Sequence, residues 1–484
     1  MELNEIIEQR KAKLAALKEN GIDVYPRPDP GHMQIGQVLG DFQEGKKVSL
    51  CGRITAKRSH GKVTFADLRD ATGKIQLYMK VDVLKKEKTV LLENFDIADI
   101  VGVSGELFKT HTNELTVKVE DIDILSKALR PLPEKWHGLK DIEIRYRQRY
   151  LDLVSNEESR NVFPLRSRII KSIRNQLDNR GFLEVETPMM HTMAGGAAGR
   201  PFKTHHNEYD MDLFLRIAPE LYLKMLLVGG MDRVYEINRS FRNEGVSIKH
   251  NPEFTMLEVY CAYGDMEFMM RLCQDLIVSA AQEIFGSVVF DYQGKKADFT
   301  PPWQVRSFAA IVKEKFDIDP SDEPPVMLEK LHAKGLAREN TKLTRTQINK
   351  IIEDILEQDM SMNPTFVTDY YTSLCPLAKT KKDNPLLSQR FELFIAGMEV
   401  ANAYTELNDP IEQRRRFEEE IKEGNETGTK AVDEGFVLAL EHGMPPAGGL
   451  GIGIDRLVML LTNQASIRDV ILFPLLRPSE ESRE

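Results

Sequence analysis

The residue types best suited to chemistry stand in two short runs, Phe241-Arg242-Asn243-Glu244-Gly245 and His250-Asn251-Pro252-Glu253-Phe254. An Arg there can neutralise a phosphate, and a Phe can cover a flat base. Alternating segments on either side, residues 233–240 and 255–260, make the whole a strand, a polar loop and a strand. On strand parity Arg242 and Glu244 share one face, and Phe254, Met256, Glu258 and Tyr260 share another. Charged groups on inward faces are costly to bury unless something charged is bound among them. A nucleotide together with a charged small molecule is the ligand this stretch calls for.

Two further segments add to the site. Gly449-Leu450-Gly451-Ile452-Gly453-Ile454-Asp455-Arg456 leads into an apolar run. Its glycines invite comparison with a dinucleotide-binding loop, but only about thirty residues follow, too few for the rest of a doubly wound sheet. Here they let a backbone approach a ligand, with Arg456 facing the same pocket. In the third segment, Asn402, Tyr404 and Glu406 share strand parity and line one wall. Glu392 and Glu399 are candidate Mg²⁺ ligands, because that ion's octahedral shell favours carboxylate oxygens beside bridging phosphates. Glu399 has the opposite parity from Asn402, so either a bulge turns it inward or it is ordinary surface. Taken singly, each acid is most simply surface. Together with two Arg on apolar strands, they suit a cationic ligand and a triphosphate at once.

The elements that must position these groups follow from length and pattern. A chain of 484 residues calls for two or three domains. With 42% hydrophobic and 29% charged residues and no apolar run of spanning length, it reads as a soluble globular protein with no membrane contact. The acidic start Met1-Glu2-Leu3-Asn4-Glu5 lacks a signal-peptide core, so a cytoplasmic location is expected. Cys51, Cys261, Cys273 and Cys375 are scattered and build no zinc site. A net charge of −10 argues against a protein that coats nucleic acid indiscriminately. Residues 1–150, however, carry 26 Lys+Arg against 23 Asp+Glu, while the rest carry 39 against 52. A mildly basic front on an acidic body suits selective contact with a polyanion.

Leu3, Ile6, Ile7, Leu14 and Leu17 mark an amphipathic first helix, stopped by Gly21 and Pro26. Five short alternating strands between residues 47 and 125, with a helix at about 83–95, outline a small closed barrel. A proline-bearing segment at 130–138 ends it. Beyond lie a long helix at 159–180 and a strand at 182–188. The strand-loop-strand comes next, then a helix at 266–285, a helical insert at about 320–360, paired strands near 391–407, a charged helix at 411–423, and the glycine-rich strand and its helix.

Residues 160–188, 241–260 and 449–456 resemble motifs 1, 2 and 3 of the class II aminoacyl-tRNA synthetases. The wording of Arg216-Ile-Ala-Pro-Glu-Leu-Tyr-Leu-Lys224, His250-Asn-Pro-Glu-Phe254 and Asn402-Ala-Tyr-Thr-Glu-Leu-Asn-Asp409 is similar to the lysine-specific members. The resemblance runs over nearly the whole chain. It implies an α+β protein: an antiparallel-sheet catalytic domain at 146–484, preceded at 1–145 by a helix and an all-β OB-fold barrel that reads an anticodon, in a homodimer. It also implies a two-step reaction, in which lysine and ATP give lysyl-adenylate and the lysyl group then passes to tRNA(Lys), with Mg²⁺ as cofactor and no part for DNA.

Carried over by position, the resemblance gives Arg242 and Arg456 to catalysis. Arg242, Glu244, His250, Phe254, Glu399 and Arg456 go to ATP, with Phe254 on one face of adenine and Arg456 on the other. Glu392 and Glu399 go to Mg²⁺. Gly196, Glu220 and Glu258 receive the α-amino group and Arg242 the carboxylate. Tyr260 and Glu406 take the ε-ammonium, with Asn402 and Tyr404 completing the wall. In the barrel, Arg53, Phe65 and Gln76 match anticodon-reading positions, whereas residue type alone would put Phe65 in the barrel core. One stretch departs from the pattern: Pro445-Pro446-Ala447-Gly448-Gly449 stands where lysine enzymes often carry Thr-Ala-Gly, and it is closer to the aspartyl and asparaginyl relatives. The rivals are a lysine-modifying paralogue, which would lack the barrel, and a non-catalytic relative, which would have lost Arg242, Glu399 or Arg456. An aspartyl enzyme would carry a cation where Glu258 and Glu406 stand.

Overall fold

A computed structural model of the chain describes residues 3–27, 31–84, 86–133, 139–197, 199–337, 343–358, 360–423 and 431–478. The chain separates into two compact units, Met1–Lys140 and Asp141–Glu484. The division lies ahead of residue 145 because Asp141 caps the helix Ile142–Arg147, accepting from the Ile144 amide at 3.0 Å. That helix is tied into the second unit by Arg145 to Asp152 at 2.9 Å and by Tyr146 to Asp469 at 3.0 Å. Part of the proline-bearing segment, 134–138, and the charged tail, 479–484, lie outside the described residues.

In the first unit, helix α1 (Leu3–Glu19) packs through its last turns, with Leu17 fully buried and Leu3 exposed. Strands β1 (Lys47–His60), β2 (Val63–Arg69), β3 (Lys74–Lys80), β4 (Ile100–Lys109) and β5 (Leu115–Ser126) close a barrel in the order β1-β2-β3-β5-β4. Alternation decides the core: Leu50, Ile54, Ala66, Leu68, Val101, Val103 and Leu107 point inward. Closure needs glycine where strands cross. A Cβ on Gly105 would stand 2.1 Å from the Lys118 carbonyl oxygen.

The second unit is built on an eight-stranded sheet. Its strands are β6 (Leu183–Glu184), β7 (Arg233–Phe241), β8 (Glu253–Ala262), β9 (Gln304–Ser307), β10 (Thr365–Thr368), β11 (Arg390–Ile395), β12 (Met398–Thr405) and β13 (Ala447–Gly453), in the order β9-β10-β11-β12-β13-β8-β7-β6. Every pair is antiparallel except the two at the edges, β6 with β7 and β9 with β10. The strand expected over 182–188 shrinks to β6, although the Val185 amide still reaches the Tyr235 carbonyl at 2.9 Å.

One face of this sheet is covered by α2 (Glu157–Asn179), α4 (Met266–Phe285) and α6 (Ile454–Leu461), counting α3 (Glu220–Val228) and α5 (Arg345–Gln358) in chain order. Val162, Ile169, Ile173 and Leu177 bury the apolar face of α2 in this unit's own core. Arg166 of α2 joins Asp455 at 2.5 Å and the Thr255 hydroxyl at 2.9 Å, and Asp455 accepts from the Thr255 amide at 2.7 Å. These three bonds bind α2, β8 and α6 into one frame. The helical insert comprises Pro324–Ala333 and α5.

Candidate active site

On the open face of the sheet lies a cavity of about 730 Å³. The period-two pattern of β8 sends Phe254, Met256, Glu258 and Tyr260 into it, while Leu257, Val259 and Cys261 enter the core behind. Arg242 and Glu244 follow the end of β7 at Phe241. Arg242 lies two residues beyond Ser240, which pairs with Phe254, and so extends the same face, with Glu244 in the loop beyond. The loop is closed by the Arg242 amide on the Pro252 carbonyl at 2.8 Å and the Ser247 amide on the His250 carbonyl at 3.0 Å. Gly199, with φ +156°, lets both side chains lie against it: a Cβ there would meet Arg242 Cδ at 3.1 Å and Glu244 Oε1 at 3.3 Å. The Arg242 guanidinium sits over the Phe254 ring, 5.2 Å from its centroid. Buried Arg242 Nε has no hydrogen-bond partner among the described residues.

Glu399 is turned inward by a bulge. Leu393 faces Ala401, but Phe394 faces Glu399, so Val400 is the extra residue and Glu399 joins the face that carries Glu392 and Asn402. Arg456, in the first turn of α6, donates to the Glu399 carbonyl at 2.5 Å and to its carboxylate at 3.4 Å. It also donates to His250 Nε2 at 3.0 Å. Because a guanidinium only donates, the ring proton of His250 sits on Nδ1, 2.9 Å from Ser247 Oγ. Burial and the Arg456 charge lower the His250 pKa, which keeps this neutral form. Glu392 is held on one oxygen by Arg390 and on the other by the Tyr370 hydroxyl at 2.7 Å. Burial raises its carboxyl to about 8 against the pull of Arg390, with Glu399 and Glu353 adding to the rise.

The opposite end of the cavity is acidic. Gly196, Glu220, Glu258, Tyr260, Asn402 and Tyr404 all line it. Burial and Glu220 push the Glu258 carboxyl up to about 8. Glu220 begins α3 and accepts from the Tyr404 hydroxyl at 2.6 Å. Gly196, at φ +87°, passes so close that a Cβ would stand 3.3 Å from that of Glu220. Glu406 directly follows β12, its amide continuing the pairing with β13 onto the Ala447 carbonyl at 2.8 Å. It is fully buried and ion-paired with the equally buried Lys224 of α3. Its Oε1 has no hydrogen-bond partner among the described residues and faces Gly449. The departing glycines permit this: a Cβ on Gly449 would lie 2.0 Å from Glu406 Oε1, and one on Gly448 would lie 2.9 Å from the Asp265 carbonyl oxygen.

Comparison with known proteins agrees with this geometry. Residues 141–477 match the family of tRNA synthetases class II (D, K and N), and residues 48–125 match the OB-fold nucleic acid binding domain. A lysine–tRNA ligase of Pelotomaculum thermopropionicum is 51% identical over 99% of this chain and 96% of its own. One from Moorella thermoacetica is 51% identical over 99% of both, and one from Thermotoga maritima is 46% identical over 100% and 98%. The chain belongs to the class II tRNA synthetases, among the lysine–tRNA ligases.

In the barrel of this synthetase, Phe65 faces outward and not into the core. Its ring lies 5.3 Å from Tyr78, which lies 5.8 Å from Phe108, so an aromatic stripe crosses the outer surface. Arg53 donates to the Ala98 carbonyl at 2.8 Å. The Gln76 amide is buried and engaged on both sides, donating to Glu114 at 3.0 Å and accepting from Thr116 at 3.1 Å. Residue spacing missed Lys224, Arg390, Glu114 and the cavity-lining Glu353 of α5. Each is a charged residue in an ordinary helical or strand pattern, and only the partner from a distant segment marks it.

Proposed function

We propose that this cavity joins lysine to ATP and then to tRNA(Lys). The lysine carboxylate attacks the α-phosphorus, an O–P bond forms, and the bond to the β-phosphate breaks to release pyrophosphate. The terminal ribose 3′-hydroxyl of the tRNA then attacks the adenylate carbonyl, and AMP leaves. Such chemistry needs positioning and charge neutralisation more than a protein nucleophile. Arg242 would bridge the lysine carboxylate and the α-phosphate. That requires it to leave the Phe254 ring, which then covers one face of adenine while Arg456 covers the other. Glu244 and neutral His250 would hold the nucleotide. Gly196, Glu220 and Glu258 would receive the α-ammonium, and Tyr260, Asn402 and Tyr404 would frame the side chain.

The observation that carries the reading is the division of the cavity: Arg242, His250, Phe254 and Arg456 gather at one end with Glu244 and Glu399, and Glu220 and Glu258 line the other. Next to these two is Glu406, whose Oε1 lies against Gly449 and has no hydrogen-bond partner among the described residues. An ε-ammonium supplies that partner. A neutral side chain would leave a buried carboxylate unmatched, at a cost of about 3–5 kcal/mol.

Glu392 and Glu399 would hold Mg²⁺. The raised carboxyl of Glu392 beside Glu399 and Glu353 fits a site completed by a cation. Two carboxylates supply only part of an octahedral shell, which leaves positions for phosphate oxygens and water. The ion would neutralise phosphate charge. The protein's own part is to aim Glu399 by the bulge and to fix Glu392 by Arg390 and Tyr370.

A cytoplasmic homodimer completes the proposal. Leu183 is exposed on the edge strand β6, and Met189 and Met190 are exposed a few residues further on; a second copy would cover them. Pyrophosphate exchange into ATP, with each of the twenty amino acids and no tRNA, tests the activity. Exchange with lysine alone is expected. Exchange with aspartate or asparagine, or with none, overturns the reading.

A further inference from the structure

Lys224 is a fully buried cation that the reaction above does not use. Its Nζ lies 2.7 Å from Glu220 Oε1, in ion contact with Glu406 Oε2, and 5.5 Å and 6.0 Å from the ring centroids of Tyr404 and Phe436. Glu220 belongs to the same helix, while Glu406 comes from the distant end of β12. One ammonium therefore spans two carboxylates from separate elements, with aromatic rings closing the remaining sides. Burying a carboxylate drives it toward its neutral form unless a cation is held beside it. Three acids, Glu220, Glu258 and Glu406, share this end of the cavity, and Lys224 is the cation paired with two of them.

We propose that Lys224 is a positioning residue for amino-acid selectivity: it favours the ionised form of Glu406 against burial and aligns the carboxylate, with Oε2 engaged and Oε1 left for one further ammonium. This rests on the proposed lysine pocket and adds to it the device that keeps the pocket selective. A neutral Glu406 could sit beside a methyl group at little cost, and the penalty against uncharged side chains would disappear. An ionised one cannot. Because Lys224 satisfies only one oxygen, the site presents one unmatched acceptor oxygen, which a single ε-ammonium satisfies.

The test is pyrophosphate exchange with lysine and with norleucine, an uncharged amino acid of similar length, for the full-length wild type, Lys224→Met, Glu406→Gln and the double variant. Lys224→Met should lower kcat/KM for lysine roughly 10- to 100-fold and reduce the lysine-to-norleucine preference at least about tenfold. The KM for ATP should stay within about twofold, which reports a folded nucleotide end. The double variant carries no unpaired Lys224 charge, and its preference should equal that of Glu406→Gln alone, since the two residues act as one unit. An equal loss with both amino acids, leaving the preference unchanged, would assign Lys224 to packing only and overturn the proposal. If Glu406→Gln also leaves the preference unchanged, the lysine-pocket reading itself fails. If Glu406→Gln changes it and Lys224→Met does not, only the role given to Lys224 fails.

Discussion

Gly449→Ala is the smallest change that separates the two ends of the cavity. The added carbon would stand 2.0 Å from Glu406 Oε1, 2.6 Å from Tyr260 Cε1 and 3.0 Å from its Cδ1, where ordinary contact begins at 3.4 Å. Something must move by about an ångström or more. Gly449 lies in the middle of β13, paired with Tyr260 on one side and Tyr404 on the other, so its backbone cannot retreat without breaking two ladders. The side chains give way instead, and they are the ones that form the ammonium end. Overpacking of this kind costs about 1–3 kcal/mol of stability, a drop of a few degrees in Tm. The lysine KM in pyrophosphate exchange should rise roughly tenfold or more. The ATP KM should change less than about twofold, because Phe254, His250 and Arg456 lie elsewhere. A variant of near-normal Tm and unchanged lysine KM would refute the placement of the amino-acid side chain against Glu406 and Tyr260.

At the other unit, Phe65→Ala removes an outward ring from the barrel stripe. Stacking on a base is worth about 1–3 kcal/mol, so tRNA charging at low tRNA should fall about five- to 100-fold while tRNA-free pyrophosphate exchange is unchanged; equal losses in both would contradict the division of labour. Glu258 predicts a proton. Burial and Glu220 hold its carboxyl at about 8, so at pH 7 the empty site keeps it protonated, whereas an α-ammonium beside it favours the carboxylate. Lysine binding at pH 7 should therefore release up to one proton, and the release should vanish well above pH 8; calorimetry in buffers of different ionisation enthalpy reads this, and proton uptake would be the wrong sign. Glu399→Ala should raise the Mg²⁺ concentration needed for half-maximal exchange several-fold while lysine binding without ATP is unaltered. An unchanged Mg²⁺ requirement would remove Glu399 from the metal site.

What the sequence made legible follows from where each constraint resides. The direction of Phe254, Met256, Glu258 and Tyr260 is a period-two property of one strand, and it appears in the structure as the alternation implies. The barrel, too, is written in local alternation, and Phe65 is assigned outward by the burial of Thr64 and Ala66 on either side of it. Glu399 was undecidable because a bulge is a relation between two strands, expressed only when Phe394 pairs with Glu399. Glu406 follows the parity of Asn402 and Tyr404: its amide continues the β12–β13 register onto the Ala447 carbonyl at 2.8 Å, and its Oε1 lies against Gly449, which pairs with Tyr404. Lys224 was invisible because a lysine at the end of Leu221-Tyr222-Leu223 reads as the wet face of an amphipathic helix. Its burial depends on two carboxylates, one of which arrives from the distant end of β12. In this fold, then, the residues that touch ligand are announced by local pattern, whereas those that set the ligand-binding residues' charge are announced only by their partners. A selectivity device made of the second kind can be found only once distant segments are brought together, and that is where Lys224, Glu406 and Gly449 meet.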